Sequence, residues 1–219
     1  MKAGQAEVDV TREYRILSGK KRASTKVDRP AKAPTDSMLL YSYVVEHDNG
    51  FAPNPFHNYC TLAHCKFSHD GMRKNIVELA TKDDWIVGTG GANLYKSAGH
   101  GRIVYAMKVT DIKTLTEYFH ERGFEAKKPK NASDWQADNR KELLAAGRRV
   151  LISDYFYYFG RNAVRIPKRF AVIEKRGPGF KSRFDKEFID KFVAWLAARA
   201  GGRGQMGTPC RTTPPKKTC

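Results

Sequence analysis

Acidic side chains are in short supply: 23 Asp and Glu stand against 40 Lys and Arg, a formal net charge of +17 over 219 residues. No apolar run reaches the roughly 18 residues that a membrane-spanning helix needs. The amino-terminal stretch MKAGQAEVDVTREYR also lacks the apolar core of a secretory signal. Cysteine is sparse, with Cys60 and Cys65 in mid-chain and Cys210 and Cys219 in a Pro-, Lys- and Arg-rich tail. That is not the dense framework of a disulfide-stapled secreted domain. Together these absences predict a soluble cytoplasmic protein with reduced thiols and no membrane partner. Gly88-Thr89-Gly90-Gly91 is followed by neither a Gly-Lys-Ser/Thr cradle nor a dinucleotide-binding spacing, so the sequence implies no cofactor.

The positive charge is spread along the chain. Residues 1–37 carry +4, residues 200–219 carry +4, and the central stretch 38–199 retains +9. A field of this sign concentrates polyanions and speeds their association, so nucleic acid, DNA first, is the expected partner. Residues 1–37 have a basic cluster, including Lys20, Lys21 and Arg22, and no sustained apolar period, which reads as a flexible arm. The end of the chain, 210–219, reads as a second basic tail.

Between the two lies one α+β domain, 38–209. Met38 to Val45 is rich in aromatic and β-branched residues and predicts a buried strand. Pro53 and Pro55 then enforce an extended loop. The apolar spacing from Met72 to Ala80 predicts a short helix capped by Asp70. Further strands are expected at Asp84–Val87, Arg102–Thr110, Val150–Ser153, Tyr155–Phe159 and Phe170–Glu174. Thr114-x-x-Glu117 and Ser133-x-x-Gln136 are capping boxes that open helices. The strongest helix is the last, with Phe184, Phe188, Ile189, Phe192, Val193 and Leu196 on one face and Gly201-Gly202 as its stop.

The densest chemistry lies in FHNYCTLAHCKFSH, residues 56–69. His57, Cys60, Cys65 and His69 supply the imidazole and thiolate set that tetrahedral zinc prefers, but the gap between the cysteines is short for a finger. The same residues also read as packed thiols with solvated histidines, and the sequence does not decide about a metal. Cys60 or Cys65 beside His57 or His64 would make a nucleophile with a base. Tyr155 in DYFYYFGR, and Phe170 after Lys168 and Arg169, interleave aromatic and basic groups as a base-stacking surface does. Arg102, Lys108, Arg161, Lys168 and Arg169 are the candidate phosphate contacts of the central domain, joining Lys20, Lys21 and Arg22 of the arm.

Taken in order, Tyr43-Val44-Val45, GFAPNPFH (50–57), Cys60-Thr61-Leu62-Ala63, Cys65-Lys66, DWIVGTG (84–90), GRIVYAMKV (101–109), Val150-Leu151-Ile152-Ser153, Tyr158-Phe159-Gly160 and Ile166-Pro167 resemble the nucleotide modification associated domain of the second type. His64 and His69 fall outside that pattern, and Gly177-Pro178-Gly179-Phe180 stands where the family would have a Gly-His pair. The resemblance implies a role in a DNA base-modification system, with base-modification enzymes as further partners. A looser fold analogy is to PUA-like barrels, which implies a small mixed barrel or curved sheet packed by helices. On that analogy Asn54, Phe56, His57, Thr61, Lys66, Trp85, Thr89 and Tyr155 would surround a modified or flipped base. An enzyme using His57 as acid or base, and an accessory tether held by its basic ends, are the alternatives.

Overall fold

The architecture follows from a strand that is buried along its whole length. β1 (Leu40–Val45) has every residue buried, as a strand covered on both faces must. In this computed structural model, which describes residues 38–63, 75–127 and 148–211, it runs parallel to β3 (Trp85–Gly90) in the middle of a sheet. The other strands of that sheet are β4 (Arg102–Lys108), β7 (Tyr155–Tyr158), β8 (Val164–Arg165), β9 (Phe180–Lys181) and β10 (Gly204–Gln205). Their order is β10-β7-β4-β3-β1-β9, with β8 also pairing β4. A second, antiparallel sheet, β2-β6-β5, is built from Cys60–Leu62, Arg149–Ser153 and Asp111–Thr114. The fold is α+β with curved mixed sheets that do not close into a barrel.

Alternation along the strands sorts their side chains to two cores. Tyr41, Tyr43, Ile86, Met107, Phe156 and Tyr158 point toward the second sheet and meet Cys60, Leu62, Leu151, Ile76 and Val77. Leu40, Trp85, Val87, Ala106 and Tyr157 point the other way, onto the long carboxy-terminal helix. That helix, α3 (Lys186–Ala200), is capped by Asp185 Oδ1, which accepts from Phe188 N (2.7 Å), and ends at Gly201 with φ 68°. Ile189, Phe192 and Leu196 are its buried stripe, each contributing about 1.5–3 kcal/mol by burial.

The two short helices show how local capping sets boundaries. In α1 (Ile76–Leu79), Asn75 caps the first turn and Glu78 Oε2 accepts from Asn75 N at 2.8 Å. Asn75 therefore opens this helix, whereas Asp70 and Met72 lie outside the described residues. In α2 (Leu115–His120) the predicted Thr114–Glu117 box is formed, while the Ser133 box lies outside the described residues. Phe170–Glu174 is a difference from expectation: Lys168–Ile173 is a 3-10 helix that follows Pro167. Its pitch stacks residues three apart on one face, and so buries Phe170 and Ile173 together.

Candidate nucleic-acid interface and the polar core beneath it

One transverse row explains several sequence features at once. Phe180, Tyr43, Gly88, Tyr105 and Tyr158 are successive partners across β9, β1, β3, β4 and β7. A Cβ on Gly88 would lie 2.3 Å from Tyr105 Cε1 and 2.6 Å from Val45 Cγ2. Glycine thus leaves room for the Tyr43 and Tyr105 hydroxyls to share a hydrogen bond of 2.7 Å above it. The next hydroxyl in the row, Tyr158, donates to Asp48 Oδ1, and Cys210 N donates to Asp48 Oδ2 at 3.0 Å. Burial raises the Asp48 carboxyl above its ordinary range, opposed by the bonds from Tyr158 and Cys210. Cys210, expected in the tail, is buried here, with its thiol pushed up to about 12 by burial and by Asp48.

The Pro-rich loop ends in a hairpin. Asn54 and Thr61 exchange backbone hydrogen bonds of 2.9 Å, and the tip is the exposed pair His57 (φ 57°) and Asn58 (φ 66°). Under the hairpin lies Lys127, only 7% exposed. Its ammonium donates to Asn54 Oδ1 (2.9 Å), Asn54 O (3.1 Å) and Tyr59 O (2.8 Å). Burial pulls the Lys127 pKa down to about 8, against an opposing contribution from Cys60. Cys60 is fully buried, and its thiol is pushed up to about 12 by burial, with the Lys127 charge opposing. Thr61 Oγ1 lies 3.3 Å from the Tyr118 hydroxyl.

The structure therefore brings Asn54, Cys60 and Thr61 together and adds Lys127, Tyr118 and Asp48. It sets Trp85 and Tyr155 on the opposite face of the sheet. Trp85 is 2% exposed, stacked with Tyr157 and edge-on to Tyr155, over whose ring Arg203 sits at 3.5 Å. Thr89 is buried and its hydroxyl bonds the Tyr43 and Lys175 carbonyls. Phe56 is half-buried, its ring within van der Waals reach of Gly50. Cys65, Lys66, His69, Lys20, Lys21 and Arg22 lie outside the described residues. Among the described residues no group of three or more His, Cys, Asp or Glu is placed to hold a metal ion.

The candidate phosphate contacts divide in two. Lys108 is paired to Asp83 (2.8 Å), and Arg161 is spent on the Pro209 and Cys210 carbonyls. Lys168 and Arg169 are exposed, Arg169 lying over the Phe170 ring at 5.0 Å. Arg102 is half-buried, donates through Nη1 to the Ala163 carbonyl (3.1 Å) and stands opposite Arg165 in the β4–β8 ladder, with no acidic partner for either among the described residues. Like charges opposed across a ladder are destabilising without a counter-ion. Sequence reasoning found Arg102 but not Arg165, because only the pairing of a two-residue strand brings them together. Lys127 was missed too: it carries no motif, and nothing in its neighbours betrays burial.

These arginines stand where β4 begins, at the end of the sheet where parallel β1 and β3 finish. Open α/β sheets bind ligands at the carboxyl ends of parallel strands. The loops that leave there are coupled, since Asp48 N donates to Lys96 O at 2.7 Å. Among the described residues no helix is long and apolar enough to cross a membrane. Compared with known proteins, the chain matches the family model described as nucleotide modification associated domain 2 over residues 37–141 and 136–214. No curated protein and no solved structure matches it.

Proposed function

The chain belongs to the nucleotide modification associated domain 2 family, and from that premise we propose that it is a nucleic-acid-binding module of a DNA base-modification system that recognises a modified or extruded base. The observation that carries this reading is the Arg102–Arg165 pair at the carboxyl ends of the parallel strands, which no acidic side chain among the described residues neutralises. Two arginines at paired ladder positions suit a phosphate, which accepts bidentate hydrogen bonds from guanidinium forks. Phosphate contacts supply affinity and register, and base contacts supply discrimination. The protein works in this reading by docking on the backbone through its basic end while the adjoining loops meet the base.

Anisotropy titrations of single- and double-stranded DNA, unmodified and carrying different base modifications, over a salt series test it. The expected result is a preference for one modified base that persists as salt rises. Arg165→Glu should weaken binding to every DNA and reduce the salt slope by about one. Equal affinity for all bases refutes base recognition, and an unchanged slope in Arg165→Glu removes the pair from the phosphate contact.

A further inference from the structure

Leu94 and Tyr95 are conspicuous on the surface, being 68% and 88% exposed. Among the described residues only Val172 joins them as a large exposed apolar side chain. They are adjacent, at the tip of the loop between β3 and β4. Exposed apolar groups on a slack loop would mean little, but this loop is firmly held. Asn93 Oδ1 accepts from Tyr95 N (2.9 Å) and Lys96 N (3.1 Å), and Ser97 N donates to Asn93 O (2.8 Å). Ser97 Oγ accepts from the buried Gly91 N (2.9 Å), and Lys96 O accepts from Asp48 N (2.7 Å). Gly99 has φ 84°, a conformation that favours glycine, and the Leu94 side chain lies beside it. The backbone that carries these two exposed side chains is thus held in place.

What surrounds them selects the occupant. Lys96 follows Tyr95 and is exposed, exposed His100 lies further along the loop, and the loop runs directly into Arg102, opposite Arg165. Carboxylates also border the loop, with Glu174 Oε1 accepting from Gly101 N (2.9 Å), but an apolar tip flanked by Lys96, Arg102 and Arg165 on a chain of charge +17 complements a polyanion with a stacked apolar interior. Resting on the reading of the protein as a DNA-binding module, we infer that Leu94 and Tyr95 form a wedge that enters the base stack of duplex DNA. Leu94 fills the step that opens, and the Tyr95 ring stacks on a neighbouring base while Arg102 and Arg165 hold the adjacent phosphate. Apolar side chains inserted in this way unstack a step and favour sites where pairing is already weak. The wedge supplies what recognition of an extruded base requires: a means of opening the helix.

The test uses the full chain and short duplexes carrying 2-aminopurine at one central position, paired or opposite a mismatch. Binding is followed by anisotropy and unstacking by 2-aminopurine fluorescence. The wild-type protein should raise the fluorescence at saturation and bind the mismatched duplex more tightly than the paired one. Replacing both residues by alanine should abolish the fluorescence rise and weaken mismatch binding about tenfold, with the salt slope unchanged. Tyr95→Phe should retain the rise. Both positions are exposed, and thermal melting confirms that the variants fold. Saturable binding without a fluorescence change, or a double-alanine variant that behaves as wild type, overturns the wedge and leaves the tip to a protein partner. Absence of any DNA binding at low salt instead overturns the DNA-binding reading, and the wedge with it.

Discussion

Replacing Lys127 by methionine probes the hairpin that carries the Pro-rich motif, and its consequence can be worked from the geometry. Methionine keeps the length and apolar volume of the side chain but removes three charge-assisted hydrogen bonds, two to Asn54 and one to the Tyr59 carbonyl. Each such bond contributes about 1.5–3 kcal/mol. Against that sum stands the desolvation cost of the ammonium, since a pKa near 8 instead of 10.5 corresponds to about 3 kcal/mol at neutral pH. The net expectation is a loss of about 1.5–6 kcal/mol for Lys127→Met. The sign of the pH dependence follows from the direction of the shift. Folding lowers the lysine pKa, so between the folded and unfolded values the unfolded chain binds more protons, and stability rises with pH. Urea denaturation of both proteins should therefore show the wild-type advantage over Lys127→Met growing by about 2 kcal/mol from about pH 7 to about pH 9.5. Taking the difference cancels the buried tyrosines, which titrate alike in both. An advantage that stays flat or shrinks over that window refutes the argument, because the ammonium would then be neither buried nor charged as described.

Two further outcomes follow from the same core. Gly88→Ala drives a methyl into the Tyr105 ring and should cost about 1–3 kcal/mol in urea denaturation; a smaller residue at position 105 should recover part of it, and strict additivity would refute the steric argument. Cys60, buried with its thiol raised to about 12, should be alkylated in the native protein only as fast as the structure opens, and mass spectrometry that finds fast labelling of Cys60 at neutral pH would contradict its placement.

The elements that could be read from the chain were those whose evidence is local. The Thr114–Glu117 box and the Phe188–Leu196 stripe with its Gly201 stop need only neighbouring residues, and both are present as expected. The strands expected at Asp84–Val87 and Arg102–Thr110 are present as Trp85–Gly90 and Arg102–Lys108, the first running on through Gly88-Thr89-Gly90, where the sequence suggests a turn. Phe170–Ile173 misled because a 3-10 pitch and a short strand both accommodate its apolar spacing, and only Pro167 favours the helix. The site was less legible because long-range pairing makes it. Asn54 reads as a polar ligand in sequence, yet 73 residues separate it from the lysine it holds. Arg165 acquires its meaning only opposite Arg102, and Gly88 only between two tyrosines. The tip Leu94-Tyr95 was invisible for a different reason, since two apolar residues in a loop read as nothing until their exposure is known.

The distribution of aromatic residues over the sheet bears on how a base would be held. Trp85, which sequence reasoning offers as a pocket wall, is enclosed by Tyr155 and Tyr157 on the α3 face, whereas Cys60 and the tyrosine row occupy the other. An extruded base cannot stack on an indole that is 2% exposed without displacing core side chains. On the proposed reading, discrimination therefore falls to the loops at the carboxyl ends of β1 and β3, and Trp85 contributes stability. Trp85→Phe should lower stability by about 1–2 kcal/mol and leave unchanged the ratio of affinities for modified and unmodified DNA, with both constants measured at one salt concentration. A ratio that falls toward one while affinity for unmodified DNA holds would place the indole against the base and refute this division between core and loops.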